Sequence, residues 1–279
     1  MELKKIVQDT LKNKKRMLLI ATATKIPILI YLLVLVATVP GIDAVEYDYI
    51  KGAHRGNSVE AIENTIESIQ MALDDPQYIF IEFDIQYTKD KQLVVFHEKR
   101  PIGIECKIKY DKVDIEELTY AQVLECSTYK IPLYNEIIEL IGDKKKINIE
   151  IKSQGNLEDD KEIVDFIIKD AQERGILQNI MLSSLSSDVV KYIDENYPEI
   201  KTGKIYLVKP ATYLHFDYFT ESLYQEVEEC GGDYILLHGQ NIHNISRLID
   251  LKPKDKTLIF WYFTDEIYLV QKDSTDVLW

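Results

Sequence analysis

Beyond residue 48 the chain alternates between two hydrophobic periods. Short runs rich in Ile, Val, Tyr and Phe recur at 49–54, 79–88, 93–97, 147–152, 180–184, 200–207, 234–238 and 258–263, each about the length of a strand. Between them, apolar residues recur every three or four positions at 61–73, 133–141, 160–173, 187–195 and 219–230, the period of an amphipathic helix. Strands alternating with helices predict βαβ units and a parallel sheet, and eight is the number of strands that closes a (β/α)₈ TIM barrel. An open doubly wound sheet is the alternative. No G-x-G-x-x-G follows the first strand and no Walker sequence occurs, so nucleotide binding has no local support. The stretch 99–130 breaks the alternation and reads as a small insertion over the barrel mouth.

Ahead of this pattern the periodicity vanishes. Residues 17–39 form an apolar run broken by one charge, Lys25. As a helix it measures about 34 Å, enough to span a bilayer. Lys25 lies toward the N-terminal end, where its stem can snorkel, and Pro27 kinks such a helix without forbidding it. Six Lys/Arg against Glu2 and Asp9 give residues 1–16 a charge of +4, and no basic cluster follows the run. The positive-inside rule then predicts a cytoplasmic basic tail at 1–16, a transmembrane helix at 17–39, a linker at 40–48 and an extracytoplasmic body at 49–279. A cleaved signal peptide is the competing reading, opposed by the length of the run and the lack of an A-x-A site.

Charge narrows the partners. The net charge is -14, so with the +4 tail set apart the body carries -18. An acidic body repels nucleic acid, and a site for a phosphate ester needs cations gathered locally. With 46% hydrophobic residues the body has enough apolar side chains for one large core. Cys106, Cys126 and Cys230, with no CxxC, give neither a disulfide framework nor a zinc site. Free thiols are the plain reading, and a Cys106–Cys126 bridge is the other.

The candidate chemistry sits at strand ends. The first strand ends in His54-Arg55-Gly56, the second carries Glu82 and Asp84 on one face, the third ends in His97-Glu98, and the fourth carries Glu150 and Lys152 at the same two-residue spacing. Barrel enzymes build their active sites at the C-terminal ends of the strands. Buried carboxylates need a shared partner, and three of them offer hard oxygen ligands suited to Mg²⁺ or Ca²⁺. Singly, each group has a bland explanation as a loop hydrogen-bonder, a solvated face or an ion pair. Together, two histidines, three carboxylates, an arginine and a lysine converge on one end of one sheet.

These residues lie in stretches that resemble the glycerophosphodiester phosphodiesterase family over nearly all of residues 50–264. AHRGNSVEAIENT is similar to the family's opening, with His54, Arg55, Gly56, Glu63, Asn64 and Thr65 in place. IEFDIQYTKDKQLVVFHE resembles the next block and supplies Glu82, Asp84, Thr88, Asp90 and His97. IPLYNEII resembles a family helix start at Ile131 and Pro132, INIEIK supplies Glu150 and Lys152, and FWYFT resembles the tryptophan-bearing last strand at Trp261. Ile62, Lys91 and Glu98 stand where the family usually has proline, glycine and aspartate.

The resemblance implies metal-dependent hydrolysis of a glycerophosphodiester to an alcohol and glycerol 3-phosphate. It implies one divalent cation, Mg²⁺ or Ca²⁺, on Glu82, Asp84 and Glu150, with phosphate held by Arg55 and Lys152. His54 is expected as base and His97 as acid, with Trp261 lining the pocket and Glu63 and Asn64 in support. His215, His238 and His243 are expected to be structural or on the surface. The implied substrate is a small-molecule or lipid-headgroup phosphodiester. A lysophospholipase D or sphingomyelinase D-like enzyme is the rival within enzymes. A catalytically silent, membrane-tethered binding module is the rival outside them, opposed by the presence of all seven charged residues.

Overall fold

Which side chains each strand buries on its two faces decides how the sheet closes. The structure is a computed structural model that describes residues 25–27, 29–30, 47–101, 113–207, 217–261, 266–271 and 278–279. In chain order the elements are β1 (Asp48–His54), α1 (Ile66–Asp74), β2 (Phe80–Tyr87), β3 (Leu93–Val95), a 3₁₀ turn (Ile115–Glu117), α2 (Tyr120–Cys126), α3 (Tyr134–Ile141) and β4 (Lys146–Ile151). There follow α4 (Leu157–Arg174), β5 (Ile180–Ser184), α5 (Ser187–Asn196), β6 (Lys201–Tyr206), α6 (Asp217–Cys230), β7 (Tyr234–His238), α7 (Ile245–Leu251), β8 (Thr257–Trp261) and β9 (Glu266–Gln271).

The nine-stranded sheet runs β1-β9-β8-β7-β6-β5-β4-β2-β3, and a β1–β2 pairing closes it into a ring. Every pairing from β1 through β2 and β4 round to β8 is parallel, while β9 is antiparallel to both β8 and β1. The barrel expected from the alternation is therefore present with eight staves, but their membership differs in two places. The run at 93–97 is no stave: β3 folds back antiparallel onto the end of β2 and sets His97 just beyond it. The closing stave is β9, which the alternation did not single out because only four residues separate it from β8, too few for the helical period that sets off the other strands.

The two faces of the strands have separate cores. Outward residues such as Ile81, Phe83, Ile85, Ile147, Ile149 and Leu182 pack with α1, α3, α4 and α5. Inward residues Phe80, Met181, Ile205, Leu236, Ile259 and Ile267 fill the barrel. Gly52 serves this interior by close approach, since a Cβ there would meet the Phe80 ring at 2.3 Å. The insertion has a third, small core of Val94, Phe96, Ile115, Leu118, Val123 and Ile131. Helix α1 starts later than the sequence period suggests, because Thr65 and Ser68 form a capping box and residues 61–64 are left to shape the site.

By contact, residues Met1–Ala44 form one unit and Val45–Trp279 the other. Residues 25–27 and 29–30 are helical, and the rest of the membrane segment expected at 17–39 lies outside the described residues. Among the described residues no helix is long and apolar enough to cross a membrane. Cys126 is disulfide-bonded and Cys230 is a free, buried thiol. The Cys106 half of the pairing considered from sequence lies outside the described residues, as does His215.

Candidate active site

Strand register stacks the charged residues in layers at the mouth. His54, Glu82 and Asn148 are cross-strand neighbours on β1, β2 and β4, and Asp84 and Glu150 are neighbours one layer higher. Period-two alternation turns Glu82, Asp84 and Gln86 inward together, and likewise Asn148, Glu150 and Lys152. The result places carboxylate oxygens of Glu82, Asp84 and Glu150 within 4.8 Å of one another.

A turn after β1 organises this cluster. Arg55 and Asn64 hold left-handed backbone (φ 59° and 57°), as does Gly56 (φ 77°). At Gly56 a Cβ would also strike the Ser68 backbone at 2.6 Å, so glycine is required. The turn aims the Arg55 backbone N–H at Glu82 Oε2 (2.9 Å). Asn64, linked through its N–H to the Arg55 carbonyl, clasps Asp84 twice: Nδ2 donates to Oδ2 (2.8 Å) and Oδ1 accepts the Asp84 N–H (3.2 Å). Asparagine tolerates the left-handed region and carries both a donor and an acceptor, which explains its presence.

Cations offset the carboxylates. Lys152 Nζ donates to Glu150 Oε1 (2.7 Å) and lies 3.4 Å from Asp84 Oδ1. Arg55 Nη1 donates to both oxygens of Glu63 (3.0 and 2.9 Å), and its Nε lies 3.4 Å from Asp84 Oδ2. Glu63 thus occupies one arm of the guanidinium expected to fork a phosphate. Burial pushes the Glu82 carboxyl well above its ordinary range, reinforced by Asp84 and Glu150. Burial also raises Glu150, to about 7, despite Lys152. Asp84 is held low: burial opposes ionisation, but Lys152 and Arg55 outweigh it. Burial lowers the His97 imidazole, with Lys152 and Arg55 adding to it and Asp84 opposing.

The histidines flank this centre. His54 is buried, its Nε2 3.9 Å from Glu82 Oε2, and it lines a pocket of about 390 Å³ with Arg55, Glu82, Asn148 and Trp261. His97 borders an adjoining hollow with Gln86, Lys99 and Gln154, and its Nδ1 lies 3.2 Å from Glu98 Oε1. Glu150 and Lys152 border both cavities, so the carboxylate centre lies between the two imidazoles. Buried Glu82 Oε1 accepts no hydrogen bond, and Asp84 Oδ1 has only the Lys152 ammonium at ion-pair distance. These oxygens, with Glu150 in reach, fit one hard divalent cation.

Every site residue expected from sequence falls at this mouth, and two contributors went unrecognised. Gln86 Nε2 donates to the carbonyls of Phe96 (2.8 Å) and Glu98 (3.0 Å), fixing the segment that carries His97. Asn148 lies two residues before Glu150, so the strand's alternation turns it into the same pocket. His238, expected to be structural or on the surface, is structural: it is buried and packs edge-on against Trp261 at 4.8 Å between ring centroids. Across from the charged strands, the pocket wall is apolar: Leu185, Ile205, Leu207, Leu236, Trp261 and Ile267.

Comparisons with known proteins identify the family of the chain and relatives of its fold. The glycerophosphoryl diester phosphodiesterase family matches residues 54–264. A glycerophosphodiester phosphodiesterase of Caldanaerobacter subterraneus is 33% identical over 171 residues, covering 57% of this chain and 68% of that protein. A human lysophospholipase D is 32% identical over 120 residues, 38% of this chain and 37% of that protein. An Oleispira antarctica phosphodiesterase, solved with the product sn-glycerol-3-phosphate, shares the fold with a TM-score of 0.56 at 20% identity, covering 76% of this chain and 84% of its own.

Proposed function

This chain belongs to the glycerophosphoryl diester phosphodiesterase family, and from that premise we propose that its barrel mouth hydrolyses a glycerophosphodiester to an alcohol and glycerol 3-phosphate. The observation that carries the reading is the convergence of Glu82, Asp84 and Glu150 between His54 and His97. The Oleispira relative's bound product has the same chemistry as the product proposed here.

Glu82, Asp84 and Glu150 would hold one divalent cation, which supplies Lewis-acid polarisation of a phosphoryl oxygen when bound. Lys152 and the free arm of Arg55 place positive charge where the non-bridging oxygens gather negative charge. His54, on the Trp261 side, takes the proton from the attacking oxygen. His97, on the other side, returns a proton to the departing alkoxide. Gln86 and Asn64 keep His97 and Asp84 in place. Mg²⁺ and Ca²⁺ both suit a centre of carboxylate oxygens.

A lipid-directed substrate is the second reading, and the apolar wall of the pocket favours it. Leu185 and Leu207 extend that wall to the rim, and Val59 and Ile62, between β1 and α1, and Tyr218, in the first turn of α6, are exposed at the same end. We further propose that the chain is a single-pass membrane protein, with its N-terminus cytoplasmic, its apolar segment 17–39 in the bilayer and its barrel outside. The disulfide at Cys126 supports an oxidising compartment.

The test is release of glycerol 3-phosphate from glycerophosphocholine by the full chain in detergent, with Mg²⁺, with Ca²⁺ and with EDTA. Metal-dependent release that disappears in His54→Ala supports the reading. If only lysophospholipids are cleaved, the lipid-directed reading replaces it, and cation binding without turnover of any phosphodiester would leave the binding module.

A further inference from the structure

The pocket floor holds a polar side chain with one end tied and the other aimed at empty space. Asn148 is fully buried on β4, lines the pocket, and sits directly across from Glu82. Its Oδ1 accepts the Ser183 hydroxyl at 2.8 Å, while its Nδ2 has no hydrogen-bond partner. Glu82 Oε1, beside it, is likewise without one, so the two do not bond each other. A buried amide donor is normally paired in a folded protein. Ser183 fixes the orientation: the oxygen faces β5, and the NH₂ faces the pocket. A cation ligand needs a lone pair, which the amide nitrogen lacks, so the group awaits an oxygen acceptor.

The acceptor must sit low in the pocket, between the carboxylate cluster and the apolar wall of Ile205, Leu236 and Ile267. Arg55 and Lys152 line the same pocket, so a phosphoryl group held between them presents an oxygen toward that floor. We propose that the Asn148 carboxamide is a substrate-contacting residue whose Nδ2–H donates to a non-bridging phosphoryl oxygen, with Ser183 as the positioning residue that holds the amide in that orientation. This rests on the phosphodiesterase reading and adds a contact that none of the charged residues supplies. A neutral donor suits the position, since a third cation beside Glu82 would compete with the metal for the carboxylates.

The test is calorimetric binding of inorganic phosphate and of glycerol 3-phosphate to the Mn²⁺-loaded full chain, alongside Mn²⁺ affinity and the kcat and KM for glycerophosphocholine. Asn148→Ala and the near-isosteric Asn148→Leu should both weaken phosphate and glycerol 3-phosphate about tenfold, the loss of one hydrogen bond to a charged acceptor. Mn²⁺ affinity should stay within about threefold, because no ligand is removed. Ser183→Ala should weaken phosphate by a smaller factor in the same direction. Unchanged phosphate affinity in both Asn148 variants overturns the proposal, as does weakening confined to glycerol 3-phosphate, which would place the donor on a glycerol hydroxyl. A parallel loss of Mn²⁺ affinity also overturns it, making Asn148 a support for the carboxylates. If the wild-type chain binds no phosphate and cleaves no diester, the phosphodiesterase reading itself has failed.

Discussion

At the scale of single residues, the site is an electrostatic compromise that a cation would complete. Without one, Glu82 and Glu150 are pushed toward the neutral form by burial and by neighbouring carboxylates, Asp84 above all, Glu150 to about 7. A carboxyl whose folded pKa lies above its unfolded value near 4.3 holds a proton in the native state that the unfolded chain has lost. Its contribution to stability is therefore complete below about pH 4 and disappears as pH rises through about 7. The chelated protein should melt at a lower temperature at pH 8 than at pH 5.5, and Glu150→Gln should flatten that slope. His97, lowered by burial, works the other way near pH 6 in both proteins, so the comparison isolates Glu150. A melting curve in EDTA that rises steadily from pH 5.5 to 8 would contradict the cluster's electrostatics. For the imidazoles, His54→Ala and His97→Ala should each lower kcat by roughly 10²–10⁴-fold with the fold intact, the usual worth of a positioned acid or base. Steady-state kinetics beside circular dichroism checks this. The charged members were legible in the sequence because a Glu or Asp on a buried strand is conspicuous. Asn148 and Gln86 were not, since an uncharged amide looks the same there whether it serves the pocket or the backbone.

Among the elements, the parallel βα units were readable because each has a two-residue period followed by a helical one. The reading failed where a strand stands outside that rhythm. β3 has strand composition but pairs backward onto β2, a choice set by the short turn through Thr88, Asp90 and Lys91. Thr88 Oγ1 donates to Asp90 Oδ1 (2.7 Å), and Lys91 takes a left-handed backbone (φ 56°), the conformation that glycine meets more easily at this family position. β9 buries both its faces, Ile267 and Leu269 inward, Tyr268 and Val270 outward, so it shows no amphipathic alternation. Its pairing with β1 nonetheless brings Ile267 beside Gly52 and completes the apolar wall. Gly52→Ala should force Phe80 aside and cost about 1–3 kcal/mol, the range for overpacking a closed core. Chemical denaturation measures it, and a neutral result would show that the barrel interior yields there.

For the whole molecule, the two ends of the barrel have opposite duties. The mouth carries the charge; the other end is closed by Trp279, whose ring meets Phe80 and Tyr234 edge-on at 5.2 and 5.9 Å. Its indole Nε1 donates to the Asn179 carbonyl (2.9 Å) and its backbone N–H to the Tyr234 hydroxyl (3.0 Å). Trp279→Ala should lower stability by about 1–3 kcal/mol, less than for a fully enclosed tryptophan, and leave KM unchanged because the site lies at the far end. A changed KM would show that the two ends are coupled. The central claim is that one cation on Glu82, Asp84 and Glu150 makes the mouth a phosphodiesterase. Its most direct test is to strip the full chain with chelator and titrate Mn²⁺ back, reading bound metal and glycerophosphocholine hydrolysis in the same samples. The account predicts that activity and occupancy rise together, saturate at about one ion per chain, and require on the order of 100-fold more Mn²⁺ in Glu150→Gln, as expected for a lost ligand. Full activity in excess chelator, or an identical titration in Glu150→Gln, would contradict it.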